Sequence, residues 1–172
     1  MGKYFGTDGF RGEANVTLTA KHAFKIGRFL GWYYCSCRDD GSRARIVIGK
    51  DTRRSSYMLE YALAAGITSS GADAYLLHVT TTPSVAFVTK HDGFDCGIMI
   101  SASHNPFYDN GIKLLNNQGE KMDDETIARI EEFLDGKSGI PPYAVRDDIG
   151  KTIDFVEGRN RYVGYLISLG RF

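Results

Sequence analysis

The sequence predicts an α/β protein, a layered mixed β-sheet flanked by helices, and two observations carry that prediction. Short β-branched runs alternate with stretches of helical periodicity, and a nearly unbroken apolar run, Cys96-Gly97-Ile98-Met99-Ile100, ends abruptly in Ser101-Ala102-Ser103-His104-Asn105-Pro106. A strand buried on both faces reads as such a run, and open α/β sheets bind ligands just past the carboxyl ends of those strands. Ser103 is thus a hydroxyl presented at the lip of a buried strand. With 172 residues, 42% hydrophobic and 24% charged, the chain has room for one ordered α/β domain and a small appendage.

Taken in order, Ala20, Ala23, Phe24, Gly27, Leu30, Gly31 and Tyr34 recur at three- and four-residue spacing and predict a helix over 18–34. The β-branched segment 44–49 reads as a strand running straight into Asp51-Thr52-Arg53-Arg54-Ser55-Ser56. A helix follows over 56–70, then a strand over 74–79, then a helix opened by Thr82 as N-cap with Pro83 behind it and closing near His91. The strand at 96–100 is joined through the Ser-His-Asn-Pro loop to a short strand at 111–115, a pair that can be antiparallel. Asp123-Asp124-Glu125 opens a helix through Ile127, Ile130 and Leu134, its acids at the positive end of the dipole. Residues 139–148, with Pro141-Pro142 and scattered charges, read as a linker, and 151–169 as one last helix stopping at Gly170-Arg171-Phe172. The expected organisation is a domain over 1–138, a linker over 139–150 and the start of a second domain over 151–172.

Charge and composition narrow the function. Lys and Arg number 21 against 21 Asp and Glu, so no broad electrostatic footprint for nucleic acid or an acidic membrane exists, and an anionic ligand must be held locally. The first residues lack the apolar core of a signal peptide, and no run approaches the ~18 apolar residues of a membrane span, which makes the cytoplasm the expected location. Cys35, Cys37 and Cys96 form no CxxC pair or zinc spacing and read as ordinary thiols.

Three polar loops can converge on one sheet edge: Gly6-Thr7-Asp8-Gly9-Phe10-Arg11-Gly12, the 51–56 segment and residues 101–113. Each combines hydroxyls with a fixed positive charge, a mixture that suits phosphate and makes Thr7, Arg53, Ser101 and Asn105 candidate phosphate or substrate contacts. Gly, Asp, Asn and Ser are also ordinary turn residues, and neither a Walker pattern nor GxGxxG is present. Ser103 and His104 are sequence neighbours whose side chains point apart, and no G-x-S-x-G elbow surrounds them, which argues against a hydrolase triad. Lys113, between Ile112 and Leu114, alternates to the opposite strand face and can reach back toward Ser103 as a proton donor or acceptor.

The run Ser101-Ala102-Ser103-His104-Asn105-Pro106, followed by Tyr108-Asp109-Asn110-Gly111-Ile112-Lys113, resembles the active-site segment of the α-D-phosphohexomutases. Gly6 to Gly12 is similar to that family's N-terminal motif, and Asp51 to Ser56 fits its pattern. The resemblance implies that Ser103 carries the phosphoryl group, that Lys113 is a general acid/base, that Arg11 holds the phosphoserine and that His104 lies beside it. The form Tyr-Asp-Asn-Gly-Ile-Lys points to the branch that interconverts glucosamine 6-phosphate and glucosamine 1-phosphate through a sugar bisphosphate. Phosphomannomutase or phosphoglucomutase chemistry, or a non-catalytic phosphosugar-binding domain, are the alternatives. The resemblance also implies Mg²⁺, ligated by phosphorylated Ser103 and by three aspartates of an Asp-x-Asp-x-Asp-Arg loop. That loop is absent here, so the expected partners are hexosamine phosphate, sugar bisphosphate and the remaining domains of a longer parent, with homodimerisation of that parent left open and the chain alone inactive or nearly so.

Overall fold

Val, Ile and Leu dominate the segments that become the middle of the sheet, and burial on both faces is what holds them there. A computed structural model describes residues 2–170, in which the elements run β1 (Phe10–Glu13), α1 (Ala20–Ser36), β2 (Arg45–Lys50), α2 (Arg54–Thr68), β3 (Asp73–Val79), α3 (Thr82–His91), β4 (Cys96–Ile100), β5 (Asp109–Leu115), α4 (Asp124–Leu134), β6 (Thr152–Asp154) and α5 (Val156–Leu169). The strands form one sheet in the order β1-β5-β4-β2-β3-β6. The four strands β4, β2, β3 and β6 are parallel, whereas β5 runs antiparallel to both β4 and β1.

Alternation along the strands sorts side chains into two cores. Ile46, Ile48, Ile98, Ile100, Ile112 and Leu114 pack toward α1, α2 and α4, with Leu59, Leu63 and Ile67 of α2 fully buried against them. Val47, Leu77, Met99 and Leu115 face α3, where Val85 and Val88 close the other side together with Phe94. Each fully buried aliphatic side chain contributes about 1.5–3 kcal/mol relative to exposure, so three layers are the economical arrangement for these patterns. No helix among the described residues is long and apolar enough to cross a membrane.

The mixed α/β class and the antiparallel β4–β5 pair agree with the sequence reading, and three local readings are corrected. Phe10–Glu13, expected within a loop, is an edge strand whose four residues pair with β5. The N-cap of α3 is Thr81, whose hydroxyl accepts from Ser84 N–H, so Thr82 is already helical. The span 151–169 is not one helix: Thr152–Asp154 adds to β3 as the sixth strand, and the helix starts only at Val156. The expected stop at Gly170-Arg171-Phe172 lies partly outside the described residues.

The Pro-rich segment after α4 has almost no regular structure, yet it is strapped to the helices. Buried Arg28 of α1 donates to the carbonyls of Pro141 and Pro142 and stacks on the Tyr143 ring at 3.8 Å, while Arg43 donates to the carbonyls of Asp147 and Asp148. A single short 3-10 turn, Arg146–Asp148, precedes β6.

Candidate functional site

The carboxyl ends of β2 and β4 lie side by side, with Lys50 in register with Ile100, so the loops leaving them must meet. Strand β5 begins at the same edge, and β1 pairs with it through Arg11 opposite Gly111. Gly111 is required there: a Cβ would stand 2.6 Å from the Ser101 carbonyl oxygen and 3.0 Å from Arg11 Cγ. The three polar loops read from the sequence therefore do converge, two through adjacent strand ends and the third through an antiparallel edge pair.

Ser103 is exposed and sits at φ 57°, the left-handed region that serine rarely occupies. Its N–H donates to Ser101 Oγ at 3.0 Å, and its own Oγ is 3.4 Å from His104 Nδ1. Asn105 donates from Nδ2 to Asp109 at 3.0 Å. Ser101 and Asn105 thus shape the loop itself, leaving Ser103 Oγ and the exposed His104 ring as its outward polar groups. A non-glycine residue held in a sparsely populated conformation is a common mark of a working site.

Arg53, expected among the phosphate contacts, directs its guanidinium at the loop backbone and Asp51. A guanidinium has five N–H donors. Here Nε bonds Asp51 at 2.9 Å, Nη1 bonds the carbonyls of Pro106 and Asp109 at 2.6 and 3.2 Å, and Nη2 bonds those of Ser103 and Asn105 at 3.0 and 2.9 Å. No donor is left over for a ligand.

Arg11 is placed differently. Its nearest charged partner is Asp8 at 3.6 Å, and its Nε is a buried donor with no partner. A buried, unpartnered guanidinium donor at the edge that carries Ser103 fits an anion. Thr7 and Asp8 form the tip of a reverse turn closed by reciprocal Gly6–Gly9 hydrogen bonds of 3.0 and 3.3 Å, and Gly9 (φ 93°) lies so close to β5 that a Cβ would meet the Ile112 carbonyl oxygen at 2.4 Å. Thr7, Asp8 and Lys113 line one cavity of about 660 Å³, with Lys121 and Asp124 at the α4 side. Lys113 lies opposite Met99, four residues before Ser103 on the neighbouring strand, and it joins this cavity instead of making a direct bond to Ser103.

Two polar features beneath the loops escaped the sequence reading. Asn110 donates to Ser55 and Ser56 at 2.8 and 3.0 Å, and Ser56 donates to Asp51 at 2.7 Å, a chain that ties β5 to α2 and the 51–53 loop. Lys50 and Glu60 form an ion pair with both side chains essentially buried, at 2% and 1% exposure, the ammonium also lying 4.4 Å from the Tyr57 ring centroid. The continuation of the apolar β2 run into Lys50 was the available signal. The N-terminal segment is tied to α4 by Glu131, which accepts N–H bonds from Lys3, Tyr4 and Phe5. Burial pushes the Glu131 carboxyl up, but those three N–H bonds outweigh it and hold the group below its ordinary value. Asp135 is drawn down to about 2 by hydrogen bonds from Lys3 and Tyr4.

The implied Mg²⁺ does not find a full set of ligands here. Among the described residues no three carboxylate, imidazole or thiol side chains converge, so a phosphorylated Ser103 would offer only a single donor group to the ion. The three cysteines are free thiols.

A family model described as phosphoglucomutase/phosphomannomutase, alpha/beta/alpha domain I, matches residues 2–139. A phosphoglucosamine mutase from Lachnospira eligens is 72% identical over 169 residues, which are 98% of this chain and 37% of that protein. One from Lachnoclostridium phytofermentans is 63% identical with the same coverage. Among solved structures, a phosphoglucomutase/phosphomannomutase family protein from Burkholderia thailandensis superposes with a TM-score of 0.73 over 96% of this chain and 35% of that one, at 23% identity, a likeness of fold. The chain spans about 37% of the length of the curated relatives it matches.

Proposed function

The chain belongs to the phosphoglucomutase/phosphomannomutase family, and from that premise we propose that it is the phosphoryl-carrying first domain of a phosphoglucosamine mutase. The observation that carries the reading is Ser103: an exposed hydroxyl, held at φ 57° past the end of a buried strand, on the loop that leads into β5, whose partner strand β1 carries Arg11 with its unpartnered Nε. The sugar assignment is supported by the 72% and 63% identities to phosphoglucosamine mutases.

In this reading the hydroxyl on C1 of glucosamine 6-phosphate attacks phosphorus on phosphorylated Ser103. A sugar O–P bond forms as the serine O–P bond breaks, Lys113 accepts the proton of the attacking hydroxyl, and a proton is returned to Ser103 Oγ. The sugar bisphosphate then turns over, and Ser103 takes the phosphoryl group from O6, whose oxygen receives the serine proton. The product is glucosamine 1-phosphate and the phosphoserine is restored. Arg11 neutralises the phosphoryl oxygens in both halves, and His104 donates a further hydrogen bond beside them, since phosphoryl transfer rests on positioning and charge neutralisation.

Members of this family generally use Mg²⁺. Because the described residues converge no carboxylate trio, this chain by itself is expected to transfer phosphate slowly at best. The sugar contacts and further domains belong, in this reading, to the remainder of a longer cytoplasmic protein. The test is to assay the complete protein on glucosamine, mannose and glucose phosphates, with and without Ser103→Ala. Preferred turnover of glucosamine phosphate that vanishes in the variant supports the reading. Better turnover of mannose or glucose phosphate moves the protein to another branch, and undiminished activity in Ser103→Ala overturns the phosphoryl-carrier role.

A further inference from the structure

We infer that Arg53 is the positioning residue that holds the Ser103 loop in the shape needed for phosphoryl transfer, an inference that rests on the reading of Ser103 as the phosphoryl carrier. The chain of contacts is closed. Four backbone carbonyls spread over residues 103–109 point at one guanidinium, and the fifth donor returns to Asp51. Asp51 is itself fixed, because its N–H donates to the Ile100 carbonyl at 2.9 Å and its carboxylate accepts from Arg53 N–H at 3.0 Å and Ser56 Oγ at 2.7 Å. The clamp is therefore anchored on β4, the strand whose end carries Ser103.

Ser103 is gripped on both sides of its left-handed Cα. Its N–H is fixed by Ser101 and its carbonyl by Arg53, so the peptide planes that determine where Oγ points are both tethered. Without the cation, four carbonyl dipoles would face one another across the space it vacates. Lysine cannot replace it: an ammonium presents three donors from one point, whereas the planar fork addresses five acceptors in one plane. The Arg53 side chain is only 12% exposed, and its bonds to Asp51 and to the Asn105 and Asp109 carbonyls are partly buried, while those to the Ser103 and Pro106 carbonyls lie at the surface. The loop is otherwise held by few backbone bonds, Asn105 N–H to Ala102, Asp109 N–H to Pro106 and Ala14 N–H to the Tyr108 carbonyl, each 3.0 Å.

The experiment compares wild type, Arg53→Lys and Arg53→Ala of this chain by two independent readouts. The first is amide hydrogen exchange resolved over residues 101–110, with β2 and β4 as internal controls, in the presence or absence of millimolar guanidinium or methylammonium. The second is the rate at which phosphate from glucosamine 1,6-bisphosphate appears on Ser103 by mass spectrometry. Exchange at Asn105 and Asp109 should accelerate about tenfold or more in both variants, as expected for loss of charge-assisted bonds, while the strands keep their protection. Guanidinium should restore Arg53→Ala in part and methylammonium should not, and Ser103 labelling should slow in step. Unchanged loop exchange in Arg53→Lys, or rescue by methylammonium as good as by guanidinium, overturns the inference. Should Arg53→Ala fail to fold, Arg53→Lys still decides, because it keeps the charge and changes only the geometry. Equal labelling of Ser103 in wild type and Arg53→Lys rejects the positioning role and leaves the carrier intact. Loss of loop protection in the variants with phosphate in wild type appearing at a residue other than Ser103 rejects the carrier and leaves Arg53 as the loop's clamp.

Discussion

The two edges of the sheet are built on opposite principles. At the β1–β5–β4 edge, polar side chains bond backbone and one another: Arg53 to four carbonyls, Asn110 to two serine hydroxyls, Ser101 to the N–H of Ser103. At the β3–β6 edge a three-residue strand is held by backbone pairing to β3 and a 3.0 Å contact of His78 with Asp154, and α5 is seated on α3 chiefly by aromatic packing, Phe87 against Tyr165 at 4.7 Å and Tyr162 at 5.4 Å, with Arg161 reaching Asp92 and Arg159 the Val79 carbonyl. Val163, Leu166, Ile167 and Leu169 of α5 remain exposed. Hydrogen bonds are directional and fix one geometry, whereas apolar contacts tolerate many, so the first edge is suited to aim a hydroxyl and the second merely closes a layer.

The largest expected effect falls on the buried pair beneath the first edge. Lys50→Met leaves Glu60 charged and unpaired in the interior and should cost about 3–5 kcal/mol in urea denaturation, while the double change Lys50→Met with Glu60→Leu should recover most of it. A single variant as stable as wild type would mean that Glu60 reaches water. Next comes Gly111→Ala, whose Cβ would meet the Ser101 carbonyl at 2.6 Å. A loss of about 1–3 kcal/mol is expected, with labelling of Ser103 falling further than stability does.

Acid should work on the first edge through its N-terminal anchor. Glu131 and Asp135 have folded values below their ordinary 4.5 and 3.8, Asp135 at about 2, so their contribution is complete above the ordinary carboxylate range and is lost as pH falls through the folded values. The thermal midpoint should therefore decline below about pH 4.5 and continue to decline toward pH 2. Glu131→Gln should flatten that slope, and an unchanged slope would remove Glu131 from the account. The smallest effect belongs to the second edge: Leu166→Ser, at an exposed site, should change stability by no more than about 0.5 kcal/mol.

The same contrast explains what could be read from the sequence. Parallel strands buried on both faces announce themselves as apolar runs, which is why β2 and β4 and the hydroxyl at the end of β4 were legible. Phe10-Arg11-Gly12-Glu13 has no alternation because an edge strand is specified by its partner β5, and Thr152–Asp154 is too short to carry a period. Thr81 and Thr82 are chemically identical caps, and only the backbone at Thr81, extended at φ −102° and ψ 159°, separates them. Arg53 was legible as a fixed charge near Ser103 but not in its task, because carbonyl oxygens that converge only in the fold leave no mark in residue order. Lys50 and Glu60 were hidden for the same reason: ten residues apart, they meet because β2 and α2 pack together.

The central claim is that Ser103 is the group that carries phosphate. Incubating this chain with glucosamine 1,6-bisphosphate and Mg²⁺, then locating phosphate by tandem mass spectrometry, tests it most directly. The account predicts slow labelling confined to Ser103 and absent from Ser103→Ala. Phosphate on Ser101 or Thr7 instead, or equal labelling in the variant, would contradict it.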